Sequence, residues 1–398
     1  MPLNHQCQPH HGISYACEFL PHNDGLTVNP MTAWQDWCTT ALAAGDVMEL
    51  CKGRWLHADE LVLTAPAGTD HMLFRGLGSE RSELIRKSAA GATGAVLRVP
   101  NTGASRFEGF SAWTDVSAPV LTDRTTLDSG VVWGGQHFSA SHVYDVHALG
   151  SYRDGAYKLV GPNTNDCTFT AGRLHAWDYS YVPSSGLPQR SALRLVETRN
   201  HEFRGMEIHS FVPSGAAVLG SGNISRLTLN GRVWSVTVPH GQPAGMAQAR
   251  FTGPTRGLLF LNDVLEAEPV VIPGTNPVQH SSHAPTFALY ADQGISGLEV
   301  RGAELYFHYA MLSGSPEAVF DQVNIAAELS VVPSNPGAFA LVQEAASSNP
   351  ALASLKHSDI YCGGLPVKPA GGIDWSTTLR KPGAVMLYPG ATDVRVVR

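Results

Sequence analysis

The chain is poor in charge. Of its 398 residues only 15% are Asp, Glu, Lys or Arg, and the formal net charge is -7. No Lys or Arg precedes Lys52, and no later segment gathers them into a stripe. A nucleic-acid surface needs such a stripe to neutralise phosphates, so no nucleic-acid partner is expected. The same stretch lacks the basic start of a signal peptide, and the expectation is folding in a cytoplasm without export. No run approaches the ~20 apolar residues that span a bilayer, so no membrane insertion is expected. The six cysteines form no CxxC pair. Cys38, Cys51, Cys167 and Cys362 sit in apolar patterns and read as buried free thiols. Long helical periodicity is missing, and so is a nucleotide loop: "GLGSERS", from Gly76, reads as a tight turn rather than a phosphate cradle. What remains is 43% hydrophobic residues with 40 Gly and 26 Pro. That is too apolar for disorder and too thinly charged for a coiled coil, and it predicts a β-rich protein with many turns.

One short phrase is written twice. "ISRLTLNG" starts at Ile224 and "ISGLEVRG" at Ile295. Loosened to apolar-x-x-apolar-x-apolar, the phrase recurs at Phe107/Phe110/Ala112, Val143/Val146/Ala148, Phe203/Met206/Ile208, Ile224/Leu227/Leu229, Ile295/Leu298/Val300 and Phe320/Val323/Ile325. Weaker copies are Cys167 with Phe169, Leu258 with Phe260, and Ile360 with Cys362. Gly stands third at Gly109, Gly205, Gly257 and Gly297. The shortest steps between middle positions are 21 residues (206 to 227) and 25 residues (298 to 323). Repetition at this period signals a solenoid, in which each coil buries its inward face only by stacking on its neighbours. The expected fold is all-β, a parallel β-helix, with Met206, Leu227 and Leu298 inward and Glu207, Thr228 and Glu299 outward.

The exposed end of a solenoid must be covered. "NPMTAWQDWCTTALAAGDV" supplies a short amphipathic helix over residues 29–45, with Asn29 as N-cap, Pro30 at the first helical position and Gly45 as the stop. Trp34, Trp37, Cys38, Ala41 and Leu42 share one face. The next stretch carries Gly45, Val47, Leu50, Gly53, Trp55, Leu61 to Leu63, Phe74, Gly76, Gly78, Ser82 and Ile85. In this order they resemble the opening coils of the pectate-lyase-like right-handed parallel β-helix superfamily, which includes bacteriophage tailspikes and polysaccharide depolymerases. Cys51 stands where the family usually has Pro, and Trp55 where it has Tyr. The resemblance covers about residues 30 to 330. It implies a right-handed, single-stranded helix of coils over residues 46–365 with loop insertions. Residues 1–28 are then a docking segment and 366–398 C-terminal strands for assembly.

Between the inward positions, outward residues form columns: Ser111, His147, Thr168, Glu207, Thr228, Leu259, Glu299, Asn324 and Tyr361, and two places on Trp113, Leu149, Thr170, His209, Asn230, Leu261 and Arg301. On this alignment Glu207, His209, Thr228 and Asn230 cluster on adjacent rungs as a sugar-binding patch, with Glu207 as an acid or base; a plain solvated strand face is the other reading. Glu207 and Glu299, three steps apart, are too distant for a glycosidase pair. The insertion "GRLHAWDYSYVPSSG" places Trp177, Asp178, Tyr179 and Tyr181 together. Flat rings suit the apolar faces of sugars, although the same alternation describes a strand packed on a neighbouring subunit. Asp178 and Glu207 are the catalytic candidates; Trp177, Tyr179, Tyr181, His209 and Asn230 are the substrate-binding ones. Asp263, Glu266 and Glu268 form an acidic insertion. The N-terminal His5, Cys7, His10, His11, Cys17 and His22 match no standard zinc spacing. Metal, a Cys7–Cys17 disulfide and a plain docking segment all stay open there, and neither a metal nor a cofactor is expected elsewhere.

The resemblance, with no export signal, implies a virion protein of tailspike or tail-fibre type. It would be a homotrimer that recognises a host surface polysaccharide and joins other tail or baseplate proteins through its N-terminal segment. Whether it also cleaves the glycan stays open. The rivals are a stand-alone polysaccharide lyase or hydrolase and a purely structural virion component.

Overall fold

The computed structural model describes residues 12–65, 71–87, 92–114, 126–177, 190–211, 216–236, 246–261, 264–268, 286–291 and 295–306, and short strands between Tyr309 and Val397. Almost all described elements are β-strands, and every strand pair among the described residues is parallel. The chain divides into two compact units, 1–176 and 177–398.

In the first unit each strand pairs with the one a turn later, in three stacks. Ile13–Tyr15, Val47–Leu50, Leu73–Gly76, Arg106–Thr114 and His142–Val160 make the first. Asp24–Val28, Gly53–His57, Ser82–Arg86 and the later part of Arg106–Thr114 make the second. Leu61–Thr64, Ala95–Gly103, Thr126–Ser139 and the end of His142–Val160 make the third. The inward column of the first stack is Met48, Phe74, Phe107, Val143 and Phe169, each at most 2% exposed. Aromatic rings fill the interior edge to face: Phe74 on Phe110 at 4.9 Å, Phe107 on Trp133 at 5.0 Å and Trp133 on Tyr157 at 5.6 Å. The buried hydroxyls of Tyr152 and Tyr157 donate to the carbonyls of Leu149 and Val146, so these two tyrosines bring no unpaired hydroxyl inside.

The predicted helix is present as Met31–Ala44, and Trp34 and Trp37 are fully buried. Trp34 packs on His57, Trp37 on Phe74, and the Trp37 indole donates to the Ser14 carbonyl at 3.2 Å, which ties the helix to the first strands. Gly45 ends it in the left-handed region at φ 70°, with Asp46 N–H returning to the Ala41 carbonyl. Asn29 is not the cap. Its amide donates to the His22 and Leu56 carbonyls and its oxygen accepts from His22 N–H, so it is consumed in bracing the preceding turn, and Pro30 takes the N-cap place. Of the cysteines, Cys38, Cys51 and Cys167 are free, the first and last buried and Cys51 half-buried. Cys17 is disulfide-bonded, and the Cys51 sulfur lies 2.7 Å from its sulfur. Cys7, whose pairing with Cys17 the sequence left open beside a metal and a plain docking segment, lies outside the described residues.

The second unit repeats the three-stack plan. Ser191–Val196, Ala216–Ser221, Met246–Phe251 and Thr286–Ala291 pair in succession. So do Arg199–Phe211, Ile224–Val236, Thr255–Leu261 and Ile295–Arg301. The expected register holds along Leu227, Leu258 and Leu298, all at most 2% exposed, with Thr228, Leu259 and Glu299 beside them on the half-buried outer face. Val385–Leu387 and Val394–Val397 continue the same stacks.

One rung back the register differs from the expectation. Met206 is buried, but it pairs with Gly231; the partner of Leu227 is His201, and Phe203 pairs with Leu229. His201, 3% exposed, fills an inward slot that an apolar scan passes over. Phe203 and Met206, which fit the repeated phrase, stand on either side of a second left-handed residue, Gly205, where the register shifts. Similar slips place Ile325 beside Leu305 and Ile360, and Phe320 beside Val300. Cys167 does not pair with Val146; its strand pairs through Thr168 with His142.

Candidate functional site

The corner between the first and second stacks decides where outward side chains stand. On the longer strands the chain turns there through a single left-handed residue. In the first unit these are Gly109 and Asp145, and in the second Gly205; Asn200, Arg226, Gly257 and Gly297 form a separate left-handed column, each directly before His201, Leu227, Leu258 or Leu298. Only glycine takes this conformation without a Cβ penalty, and Asp and Asn tolerate it through local hydrogen bonds. Asp145 is so held: its carboxylate accepts the Ser79 N–H at 3.1 Å and the Ser79 hydroxyl at 2.7 Å, and His147 Nε2 lies 3.3 Å from it. Gly109, on the rung between, has no side chain to obstruct that reach, and a Cβ there would meet the Gly76 oxygen at 3.0 Å.

The residue before each corner faces outward, and in the first unit these positions stack into a ladder. Tyr15 pairs with Glu49, Glu49 with Arg75, Arg75 with Glu108, Glu108 with Tyr144, and Tyr144 with Thr170. Two places earlier on the same face stand Leu73, Arg106, His142 and Thr168. Arg75 Nε donates to Glu49 Oε2 at 2.7 Å, and Arg106 Nε to Glu108 Oε2 at 2.6 Å. Tyr144 is 52% exposed, one of the few large apolar side chains among the described residues to stand in solvent. Burial, and then the Glu49 charge, raises the Tyr15 hydroxyl above its ordinary pKa, so it remains a neutral donor. The sequence reading missed this ladder because Glu108 and Tyr144 occupy an unspecified place of the repeated phrase, and Tyr15, Glu49 and Arg75 lie ahead of its first copy.

The predicted patch is not assembled as expected. The register sets Glu207 opposite Arg232 and His209 opposite Trp234, while Asn230 faces Arg204 and Thr228 faces Glu202. Glu207 and His209 do share the half-buried outer face of one strand. Asn230 and Thr228 lie on the adjoining segment, across the Arg204–Met206 shift, and the reason is again the His201 rung. Glu202 is bound by Arg204, and Glu299 by Arg301 at 2.6 Å. Ser111 and His147 are neighbours as expected, yet both are buried, with the Trp113 indole donating to Ser111 Oγ at 2.7 Å. Trp177 ends the strand Arg173–Trp177, and Asp178, Tyr179 and Tyr181 lie outside the described residues. Glu266 pairs by register with Trp234 and Tyr306, and Glu268 with Val236; Asp263 lies outside the described residues. Among the described residues no group of three or more His, Cys, Asp or Glu could hold a metal ion, and no helix is long and apolar enough to cross a membrane.

No family model and no curated protein matches the chain. Among solved structures it is similar to the Acinetobacter phage vb_AbaP_AS12 gp42 tailspike, at 12% identity and a TM-score of 0.49, over 94% of this chain and 68% of that one. It is similar to the Agl-KA catalytic domain at 10% identity and a TM-score of 0.49, over 98% and 69%. The pre-mature bacteriophage phi29 gene product 12 aligns at 11% identity and a TM-score of 0.42, over 86% and 52%. The chain thus spans between about half and two thirds of the length of these structures.

Proposed function

We propose that the chain is a right-handed parallel β-helix of the tailspike or tail-fibre type that recognises a host cell-surface polysaccharide. The observation that carries this reading is the stacked parallel architecture closed by a tryptophan-bearing helix, in the order the opening residues Gly45 to Ile85 led one to expect. Such a stack is rigid and presents long outward columns, which suits an extended, repetitive ligand. In this reading residues 1–28 dock to other tail or baseplate proteins, 29–45 cap the helix, 46–365 form its coils, and 366–398 serve assembly. Three copies associate, and the protein acts in the virion. Trp177, Tyr179 and Tyr181 form one glycan platform, with Asp178 and Glu207 as acid and base if the glycan is cut, and His209 beside Glu207. Asn230 belongs to the neighbouring segment of that face.

Incubation of the purified chain with capsular polysaccharide and lipopolysaccharide panels tests this, followed by product sizing and ultraviolet absorbance. Oligosaccharides mark an enzyme, and ultraviolet-absorbing ends mark a lyase. Retention without products marks a binding protein. Neither retention nor products would leave only the structural-component reading.

A further inference from the structure

We infer that the outward ladder Glu49–Arg75–Glu108–Tyr144, with Arg106 and His142 beside it, is a binding site for an uncharged, hydroxyl-rich glycan. The inference rests on the polysaccharide reading above and adds a place and a ligand class to it.

The place follows from three features that coincide. The first is continuity: four successive register partners stand on one face, with a fifth rung at Thr170. At the strand spacing of ~4.8 Å the span from Glu49 to Thr170 is roughly 19 Å, room for a short oligosaccharide laid along the stack. The second is an exposed aromatic. Tyr144 leaves half its surface in water beside polar neighbours, where its ring can carry the apolar face of a pyranose and its hydroxyl a hydrogen bond. The third is rigidity. Tyr144 precedes the left-handed Asp145, whose carboxylate is fastened to Ser79, so its backbone is fixed before a ligand arrives.

The ligand class follows from the charges. Arg75 is already paired with Glu49, and Arg106 with Glu108. A carboxylate or sulfate on a sugar would have to compete with these internal partners and would meet two carboxylates at close range. A hydroxyl group does neither. Glu49 is buried and anchors the end of the ladder, while Arg75, Arg106 and Glu108 remain partly exposed; a guanidinium has five N–H groups and a carboxylate about four lone-pair sites, so these three keep donors and acceptors beyond their internal pairing. Vicinal hydroxyls can donate to the carboxylate and accept from the guanidinium of one pair. The neighbouring outward column, Arg54, Glu83 and Ser111, holds an ion pair at 2.9 Å but ends in buried Ser111 and His147, so it supplies a control of similar charge.

Binding by the full-length chain is measured on immobilised neutral polysaccharides (dextran, mannan, xylan, galactan) and acidic ones (polygalacturonate, alginate, hyaluronan), together with the host-surface panels. The expected result is retention on a neutral glycan. Tyr144→Ala should weaken it about tenfold, Glu108→Gln severalfold, and Tyr144→Phe less than Tyr144→Ala because the ring stays and only the hydroxyl is lost, whereas Glu83→Gln should leave it unchanged. Melting temperatures equal to wild type show that the exposed substitutions do not act through folding. Retention that survives both Tyr144→Ala and Glu108→Gln would overturn the site while leaving the polysaccharide reading intact. Retention on acidic glycans alone would overturn the ligand class. A wild-type chain retained by nothing would remove the polysaccharide reading and this inference together.

Discussion

The two units build the same three-stack plan with different materials. The first fills its interior with interlocked rings, Trp133 touching Phe107, Phe138, Tyr157 and Phe169 at 5.0 to 6.1 Å. The described core of the second relies on aliphatic columns such as Leu227, Leu258 and Leu298. The left-handed residues differ too. The first unit fastens Asp145 in the left-handed region with two hydrogen bonds, while the second turns through Asn200, Arg226 and two glycines. Parallel stacking therefore fixes where a residue must be buried or bent but leaves its chemistry free. Where the first unit invests in rings and a fastened corner, it also carries the exposed ladder.

The largest expected effect tests the difference in cores. Trp133→Ala removes a fully buried ring with four ring neighbours and should cost about 3–5 kcal/mol. Leu258→Ala, equally buried, should cost about 2–5 kcal/mol, toward the lower end if its aliphatic neighbours relax into the space. Urea unfolding followed by a probe in each unit measures both. Equal losses would dissolve the contrast between an interlocked core and a stacked one.

Next comes acid stability, which should be a property of the first unit. His57 is fully buried against Trp34, and desolvation lowers its pKa from 6.5 to about 4. The unfolded chain therefore binds a proton between these values that the folded chain refuses. Stability is complete above pH ~6.5 and falls as pH drops toward 4, by about 3 kcal/mol for a shift of this size. Hydrogen exchange between pH 4 and 7 should show the strands near the helix opening first. His57→Phe should flatten that dependence whatever it does to stability at neutral pH, and an unchanged slope would remove His57 as its source.

How far these features were legible in the sequence depended on which side of the strand carried the signal. Leu227, Leu258 and Leu298 were readable because apolar residues fill the inward places and glycine marks the left-handed place at Gly257 and Gly297. The same rule failed one rung earlier. His201 takes an inward place, Asn200 takes the left-handed place, and Gly205 offered a false match. Trp34 and Trp37 were readable from helical spacing, whereas the fate of Asn29 depended on a long-range contact with Leu56 that spacing does not encode. The ladder at Tyr15, Glu49, Arg75, Glu108 and Tyr144 was illegible for another reason. Outward places carry no hydrophobic code, and irregular loop lengths between rungs hide which of them are neighbours until the register is known.

The smallest effects concern the left-handed residues, and they should differ in sign. Replacing a left-handed non-glycine residue by glycine relieves roughly 1–2 kcal/mol of strain but raises unfolded-state entropy by a comparable 0.5–1 kcal/mol. At Arg226, φ 54°, the exposed side chain stands outside the core, so Arg226→Gly should be neutral or stabilising by up to about 1 kcal/mol. At Asp145, φ 50°, glycine would keep the bend but delete both bonds to Ser79. Each is charge-assisted yet partly open to water, so the loss should exceed the relief and leave Asp145→Gly about 1 kcal/mol less stable. Gly257→Ala supplies the reference for strain alone. Its Cβ would find only ordinary contacts, the nearest at 3.7 Å, so whatever it costs comes from φ 63°. Denaturant midpoints for the three variants set the scale. If Asp145→Gly proved as harmless as Arg226→Gly, the bonds to Ser79 would carry no net stability, and the rigid placement of Tyr144 would need another origin.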